Sequence, residues 1–358
     1  MARPRIAVVG AGIVGCLVAR EIIRRNFGAS VVVLDRDGVG TGTSRRSAGL
    51  HFPRGGTPRV RRMAAYSQDY YQALRAEDPA LPIYPLDLTV LDTLEHAEQL
   101  DTTYLDTAKL TRTVAPVPAG SLGDVMRLPD GAAGWTGVGS QYADVYGLVQ
   151  ALARQLRPQV AFWEGVRVTG IEPEDRNVAL RLGTGRTLVV DRVVLAPGPW
   201  LAAPAWRELV APLGIRVKKV VALHVRRPTA EGDPVVVFGD EDAFLLPVHH
   251  RGHWLFSYTC REWDVDPDAL TDGLSPVDLD DAGQCLSRYA PGLVEDTTSG
   301  RVFCDAYAVD QEPLVRTLDA AGRVIFVGAA NGSGYRLAPA MAGEATDLLT
   351  SGTEGKIQ

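Results

Sequence analysis

Val8-Val9-Gly10-Ala11-Gly12-Ile13-Val14-Gly15 is the stretch from which the rest of this chain is read. Arg5 to Val9 predicts a short apolar strand, and Ile13 to Arg24 predicts a helix with Ile13, Leu17 and Ile22 at roughly helical spacing. The glycines between them follow G-x-G-x-x-G. Gly10 permits the tight turn, Gly12 lets backbone amides approach a pyrophosphate, and Gly15 lets the helix pack closely on the strand. Phosphates held there face the positive end of a helix. A second apolar run, Val31-Val32-Val33-Leu34, ends in Asp35, which stands 20 residues after Gly15, the spacing of a ribose-binding acid. A carboxylate at that place favours a 2′,3′-diol and disfavours a 2′-phosphate. The alternative is a glycine-rich turn in a nucleotide-free α/β core.

The 358 residues suffice for roughly two domains of ordinary size. With 37 Lys and Arg against 43 Asp and Glu, the net charge of −6 supplies no bulk basic field, so no nucleic-acid partner is expected. Cys16, Cys260, Cys285 and Cys304 form no C-x-x-C pair and read as reduced thiols. The first apolar run is broken by its glycines, which argues against a secretory signal, and no stretch approaches the ~20 apolar residues of a membrane span. These features together predict a cytoplasmic protein with no membrane span.

After Asp35 come Arg36-Asp37-Gly38-Val39-Gly40-Thr41-Gly42-Thr43-Ser44-Arg45-Arg46-Ser47-Ala48-Gly49-Leu50. Glycines and hydroxyl residues at this density make a loop whose N–H and O–H groups can hold an anion or a heterocycle. An acid followed by G-x-G-T-S-x-x-S-A-G resembles the FAD-dependent oxidoreductases of the D-amino-acid oxidase, glycine oxidase and sarcosine oxidase superfamily. Three further places resemble that family. They are Val166 to Ile171 with Leu188 to Trp200, the hairpin of Phe244 to Pro247 with Trp254 to Thr259, and Arg323 to Gly328 with Asn331 to Pro339.

The resemblance implies an α/β fold: an FAD-binding Rossmann-like domain of the glutathione-reductase type, with an α+β substrate domain containing an antiparallel β-sheet. The cofactor domain is expected over 1–80, 141–205 and 306–358, and the substrate domain over 81–140 and 206–305. Val217 to Val225 and Pro234 to Phe238 read as antiparallel strands of the latter. Arg59 to Leu74 and Asp144 to Leu156 read as helices, the second stopped by Pro158, and 115–120 reads as a loop.

The same resemblance places FAD against Gly10, Gly12, Ile13, Val14, Gly15, Asp35 and Arg36 at the first unit. It adds Thr43, Ser44, Ser47, Ala48, Gly49 and Leu50 in the following loop, Val168 and Gly198 in the middle, and Gly332, Gly334, Tyr335, Arg336 and Leu337 at the close. Flavin chemistry needs mainly orientation and electrostatics from the protein. Arg336 follows the G-x-G-aromatic turn, where the sarcosine oxidase branch carries a base, and a guanidinium binds a carboxylate through two parallel hydrogen bonds. Asp305 stands where glycine-oxidase-type enzymes carry an arginine; an acid there could attract a cationic amine, or could be solvated or paired with an arginine. His51 could deprotonate a substrate ammonium or could simply pack. Tyr258, in the hairpin, completes the candidate catalytic set. Cys304 lies near the cysteine that attaches FAD covalently in sarcosine oxidases, one residue off the expected place, and could equally be a buried inert thiol. His249, His250 and His253 lack supporting carboxylate or cysteine spacing, so no metal is expected.

The implied activity is oxidation of a C–N bond of an amino acid or related amine by hydride transfer to flavin N5, giving an imine. Molecular oxygen, yielding peroxide, or another acceptor would take the electrons. The alternatives are oxidation of a 2-hydroxy acid and a non-catalytic flavin-nucleotide binding module.

Overall fold

The computed structural model describes residues 3–115, 120–258, 260–270 and 273–351. Most of the loop expected over 115–120, namely 116–119, lies outside these, as do 352–358.

The expected opening unit forms as strand β1 (Arg5–Val9), helix α1 (Ile13–Arg24) and strand β2 (Ser30–Leu34). β1 is the centre of a six-stranded sheet in the order Leu314–Thr317, Val324–Gly328, Arg192–Leu195, β1, β2, Val160–Trp163. Its neighbours pair in parallel, and only the edge strand Leu314–Thr317 runs antiparallel. Ala7 and Val8 are fully buried because helices and a small antiparallel sheet cover the two faces.

On one face, α1, Pro58–Glu77 and the closing helix Gly334–Ser351 share one apolar cluster that includes Leu17, Ile22, Tyr71 and Met341. Full burial of each such side chain contributes about 1.5–3 kcal/mol. The helix Pro58–Glu77 starts because the Thr57 side chain accepts the Val60 amide and proline occupies its first position. It docks on the closing helix through the Tyr71 hydroxyl, which donates to the Tyr335 carbonyl at 2.7 Å, and through Arg59, which pairs with Glu344 at 2.6 Å. Val145–Leu156 begins at Asp144, whose side chain accepts the Gly147 amide. On the other face lie Val168–Pro173, Val178–Leu182 and Thr187–Val190.

A larger sheet takes Thr297–Tyr307, Arg216–Val225, His253–Tyr258, Ala243–Val248, Val235–Phe238, Ile83–Thr93, Ala132–Ala143 and Leu50–His51 in that order, with Thr111–Thr113 beside Ala132–Ala143. The run read as Pro234 to Phe238 begins at Val235 and is antiparallel only to Ala243–Val248. Against Ile83–Thr93 it runs parallel, so of the two strands read as antiparallel this one is so on one side only. Leu50–His51 joins this sheet although it falls within the segment 1–80, so that segment serves both sheets. One face carries Leu88, Val90, Leu255 and Phe303, packed with Leu100, Tyr104 and Ala108; the opposite face carries Val221, Phe256 and Val302 under the helix Pro276–Ser287. No helix among the described residues is long and apolar enough to cross a membrane.

Gly10 has φ +106, and a Cβ there would lie 2.2 Å from the Ala196 carbonyl oxygen. Gly10→Ala is therefore expected to lower stability by about 2–4 kcal/mol, read as a fall in melting temperature. An unchanged melting temperature would contradict the close approach.

Candidate active site

One elongated cavity lies at the C-terminal end of the parallel strands, lined by segments far apart in sequence. At one end are Gly10, Gly12, Ile13, Val14 and Gly15. The Val14 and Gly15 amides precede the first intrahelical bond, which the Cys16 amide makes to the Gly12 carbonyl, so they point out of the helix as anion donors. The Ile13 amide is instead held by the Ser44 hydroxyl at 3.0 Å, which ties the second loop to the first.

Asp35 accepts the Ala11 amide at 2.7 Å and the Asp37 amide at 2.9 Å, and burial raises its pKa. Its two oxygens keep free lone pairs toward the cavity, which suits a ribose diol. Arg36 also lines the cavity, but its guanidinium is held by Asp268 at 3.0 and 2.6 Å and stacks over Trp200 at 4.6 Å. The Trp200 indole donates to the same Asp268 at 2.7 Å. Asp268 carried no sequence signal; it arrives from a loop 232 residues from Arg36.

The cavity continues past Thr43, Ser44 and Ser47, past Val168 and Gly198, and on to Gly332, Gly334 and Tyr335. Gly42 is closely approached, since a Cβ there would meet the Trp200 ring at 3.1 Å and the ring would have to give way slightly. Glycine-lined walls, outward amides at a helix start, and a carboxylate at the ribose position fit FAD. Ala48, Gly49, Leu50 and Leu337 do not line the cavity, contrary to expectation. Leu50 pairs with Tyr142 in the large sheet, a Cβ at Gly49 would meet the Ala143 carbonyl at 2.2 Å, and Leu337 is buried among the helices.

The four residues of the expected catalytic set separate. Asp305 faces the cavity and accepts no hydrogen bond from a described residue; burial pushes its pKa up to about 7. Arg336 lies beside this cavity, not in its wall. Its guanidinium donates to the Arg54 carbonyl at 3.0 Å and to the Ser333 hydroxyl at 2.7 Å, and lies over the Phe52 ring. Burial and the neighbouring Arg54 cation lower its pKa to about 10, and no carboxylate of a described residue pairs with it. Arg54, which carried no sequence signal, is near enough to be felt by Arg336, but its guanidinium lies over the Tyr104 ring and, like that of Arg336, is not part of the cavity wall.

His51 and Tyr258 need correction. His51 is completely buried, its Nδ1 is 3.4 Å from the Arg336 carbonyl, and its Nε2 is enclosed without a partner. Burial, then Arg336, depress its pKa to about 3, which favours the neutral imidazole, and His51 is not part of the cavity wall. Tyr258 packs on the face of the large sheet covered by Pro276–Ser287, away from the cavity. Cys304 turns the same way: it sits opposite Lys219, whose ammonium reaches Asp278 of that helix at 2.8 Å. Its thiol is buried and pushed up to about 12, the setting of an inert sulfur. Among the described residues no His, Cys, Asp and Glu cluster could hold a metal.

The family model described as FAD dependent oxidoreductase matches residues 5–348. Among curated proteins, the chain is 24% identical over 384 residues to 4-methylaminobutanoate oxidase (formaldehyde-forming) of Paenarthrobacter nicotinovorans, covering 98% of this chain and 44% of that protein. It is 30% identical over 241 residues to glycine oxidase of Pseudomonas aeruginosa, covering 60% of each. The matches thus span about half the length of these relatives. The crystal structure of glycine oxidase from Geobacillus kaustophilus superposes with a TM-score of 0.79 at 18% identity, over 97% of this chain and 95% of that one.

Because Cys304 points away from the cavity, denatured protein is expected to release its FAD, and mass spectrometry should find the bare polypeptide mass. A flavin adduct that disappears in Cys304→Ser would overturn this placement.

Proposed function

From the premise that this chain belongs to the family of FAD-dependent oxidoreductases, we propose that it oxidises a C–N bond of an amino acid or related amine. The observation that carries this reading is Asp305, whose carboxyl group faces the cavity with no hydrogen-bond partner among the described residues. A carboxylate held there by burial attracts a cation, and an ammonium group meets that need. The curated relatives support the substrate class, since one is named for 4-methylaminobutanoate and the other for glycine.

In this proposal Asp305 orients the substrate nitrogen and takes its proton, because only the neutral amine gives up hydride readily from the adjacent carbon. A pKa of about 7 suits it to the task near neutral pH. Arg336, beside the cavity wall and kept in place by the Ser333 hydroxyl and the Phe52 ring, adds with Arg54 a positive field that attracts a substrate carboxylate. FAD, when bound, supplies the hydride acceptor, and water then hydrolyses the imine product. Molecular oxygen, yielding peroxide, or another acceptor would be the final electron acceptor. Asp305 disfavours a 2-hydroxy acid, which brings an anion and no cation.

Anaerobic mixing with candidate amines and amino acids should bleach the visible flavin band, with imine or ammonia as product. A keto acid formed from a hydroxy acid, with no nitrogen released, would overturn the proposal. In the active enzyme kcat/KM is expected to rise with pH through about 7, as Asp305 loses its proton. Asp305→Asn should remove that rise and lower kcat/KM by ~10²–10⁴. Arg336→Ala should raise KM for a carboxylate-bearing substrate while FAD stays bound.

A further inference from the structure

The turn Thr43–Arg46 borders two spaces. Gly42, Thr43, Ser44 and Ser47 line the cofactor cavity, whereas Thr41, Arg45 and Arg46 line a separate cleft of about 600 Å³. Asp144, Tyr146, Arg251 and Arg301 complete this cleft, so four separate parts of the chain meet there. It gathers four guanidinium groups and one carboxylate.

That carboxylate cannot balance them. Asp144 accepts the Gly147 amide at 3.1 Å as the start of its helix, and Arg251 approaches its other oxygen only to 3.5 Å. Arg45 lies over the Tyr146 ring at 5.7 Å, and Arg46 reaches the Val302 carbonyl at 3.5 Å. Arg301 is the least satisfied. It donates to the Ser47 carbonyl at 3.3 Å, its Nε is enclosed without a partner, and no carboxylate of a described residue lies within ion-pair distance. Burial, then Arg251, lower its pKa to about 10, which still leaves it charged at neutral pH. The same field holds down two neighbouring histidines: burial followed by Arg301 depresses His224 to about 4, and burial and Arg251 with Arg301 lower His253.

Arg301 is partly buried, the other three arginines of the cleft being exposed. A cation drawn from water without a counter-ion is costly, and planar guanidinium forks match the oxygens of carboxylate and phosphate groups. We propose that this cleft is a binding site for a small dianion, a phosphate group or a dicarboxylate, anchored on Arg301 and flanked by Arg46 and Arg251. Four cations against one acid call for more than a single negative charge. Enclosure by the turn, the start of Val145–Leu156, the hairpin at Arg251 and the strand Thr297–Tyr307 favours a small ligand over a polymer.

The test uses the FAD-loaded protein and reads binding alone, so it stands or falls separately from the proposed oxidation. Inorganic phosphate and malonate are titrated calorimetrically at constant ionic strength, with chloride as reference. Saturable one-site binding of at least one probe is expected. Arg301→Gln should weaken it by about tenfold or more, Arg251→Gln by a smaller factor, and the exposed Arg154→Gln not at all. Phosphate alone identifies a phosphate site, malonate alone a dicarboxylate site, and both a general dianion site. Should Arg301→Gln fail to fold, Arg251→Gln at the exposed hairpin decides. Heats indistinguishable from chloride, or unaltered affinity in the arginine variants that fold, would overturn the proposal.

Discussion

The contact on which the rest of the structure depends is the meeting of three strand ends at Gly10. Its amide donates to the Leu34 carbonyl at 2.8 Å, the Ala196 amide donates to the Val9 carbonyl at 2.8 Å, and the space where a Cβ would stand is filled by the Ala196 oxygen. Only glycine adopts φ +106 in that space without strain. This close approach turns the chain straight into α1 and aims its first amides along the cavity. Asp35, one residue beyond β2, reaches back to the Ala11 amide and closes the unit. The acid that lines the cavity is therefore also the acid that braces the turn.

From that corner the cavity is assembled by ties between distant segments. The Ser44 hydroxyl holds the Ile13 amide, the Asn331 side chain accepts the Ala308 amide, and the Tyr71 hydroxyl holds the Tyr335 carbonyl. Each tie joins a polar group of one segment to backbone of another, so the loops are fixed relative to the helices that carry them. Asp268 adds a further strap by gripping both Arg36 and Trp200. An arginine that would otherwise project into solvent is thereby held flat against the indole.

Strand alternation then sorts the reactive residues. Along Thr297–Tyr307, Arg301 lines the arginine cleft and Asp305 the cavity, while Val302 packs with Pro276–Ser287 and Cys304, paired with Lys219, shares the face of Val302. A difference of one residue thus separates an acid of raised pKa in the cavity from a thiol buried out of reach. The same rule disposes of Tyr258, whose neighbour Ser257 lies on the other face. His51 is lost in another way: Leu50–His51 pairs with the edge of the large sheet, and the ring is sealed beneath the closing helix.

What the sequence by itself determined was local. The glycine spacing, the apolar run ending in Asp35, and the hydroxyl-rich loop specify a strand, a turn and a helix start whose geometry depends on neighbouring residues only, and the quoted motifs carried the family with it. The helices Ile13–Arg24, Pro58–Glu77 and Val145–Leu156 were legible for the same reason, since apolar periodicity is written in a single segment, whereas Pro276–Ser287 and Gly334–Ser351 were not read as helices. Only the tertiary structure decided which face of each strand meets the cofactor domain, because alternation fixes relative and not absolute orientation until the sheet is packed. That is why Asp305 enters the cavity and Cys304 and Tyr258 do not. It also brought Arg54 to Arg336, Asp268 to Arg36, and Arg301 to Arg46 and Arg251. The charge of each member is visible in the chain, but their mutual approach depends on how the two sheets and their connecting loops close on one another.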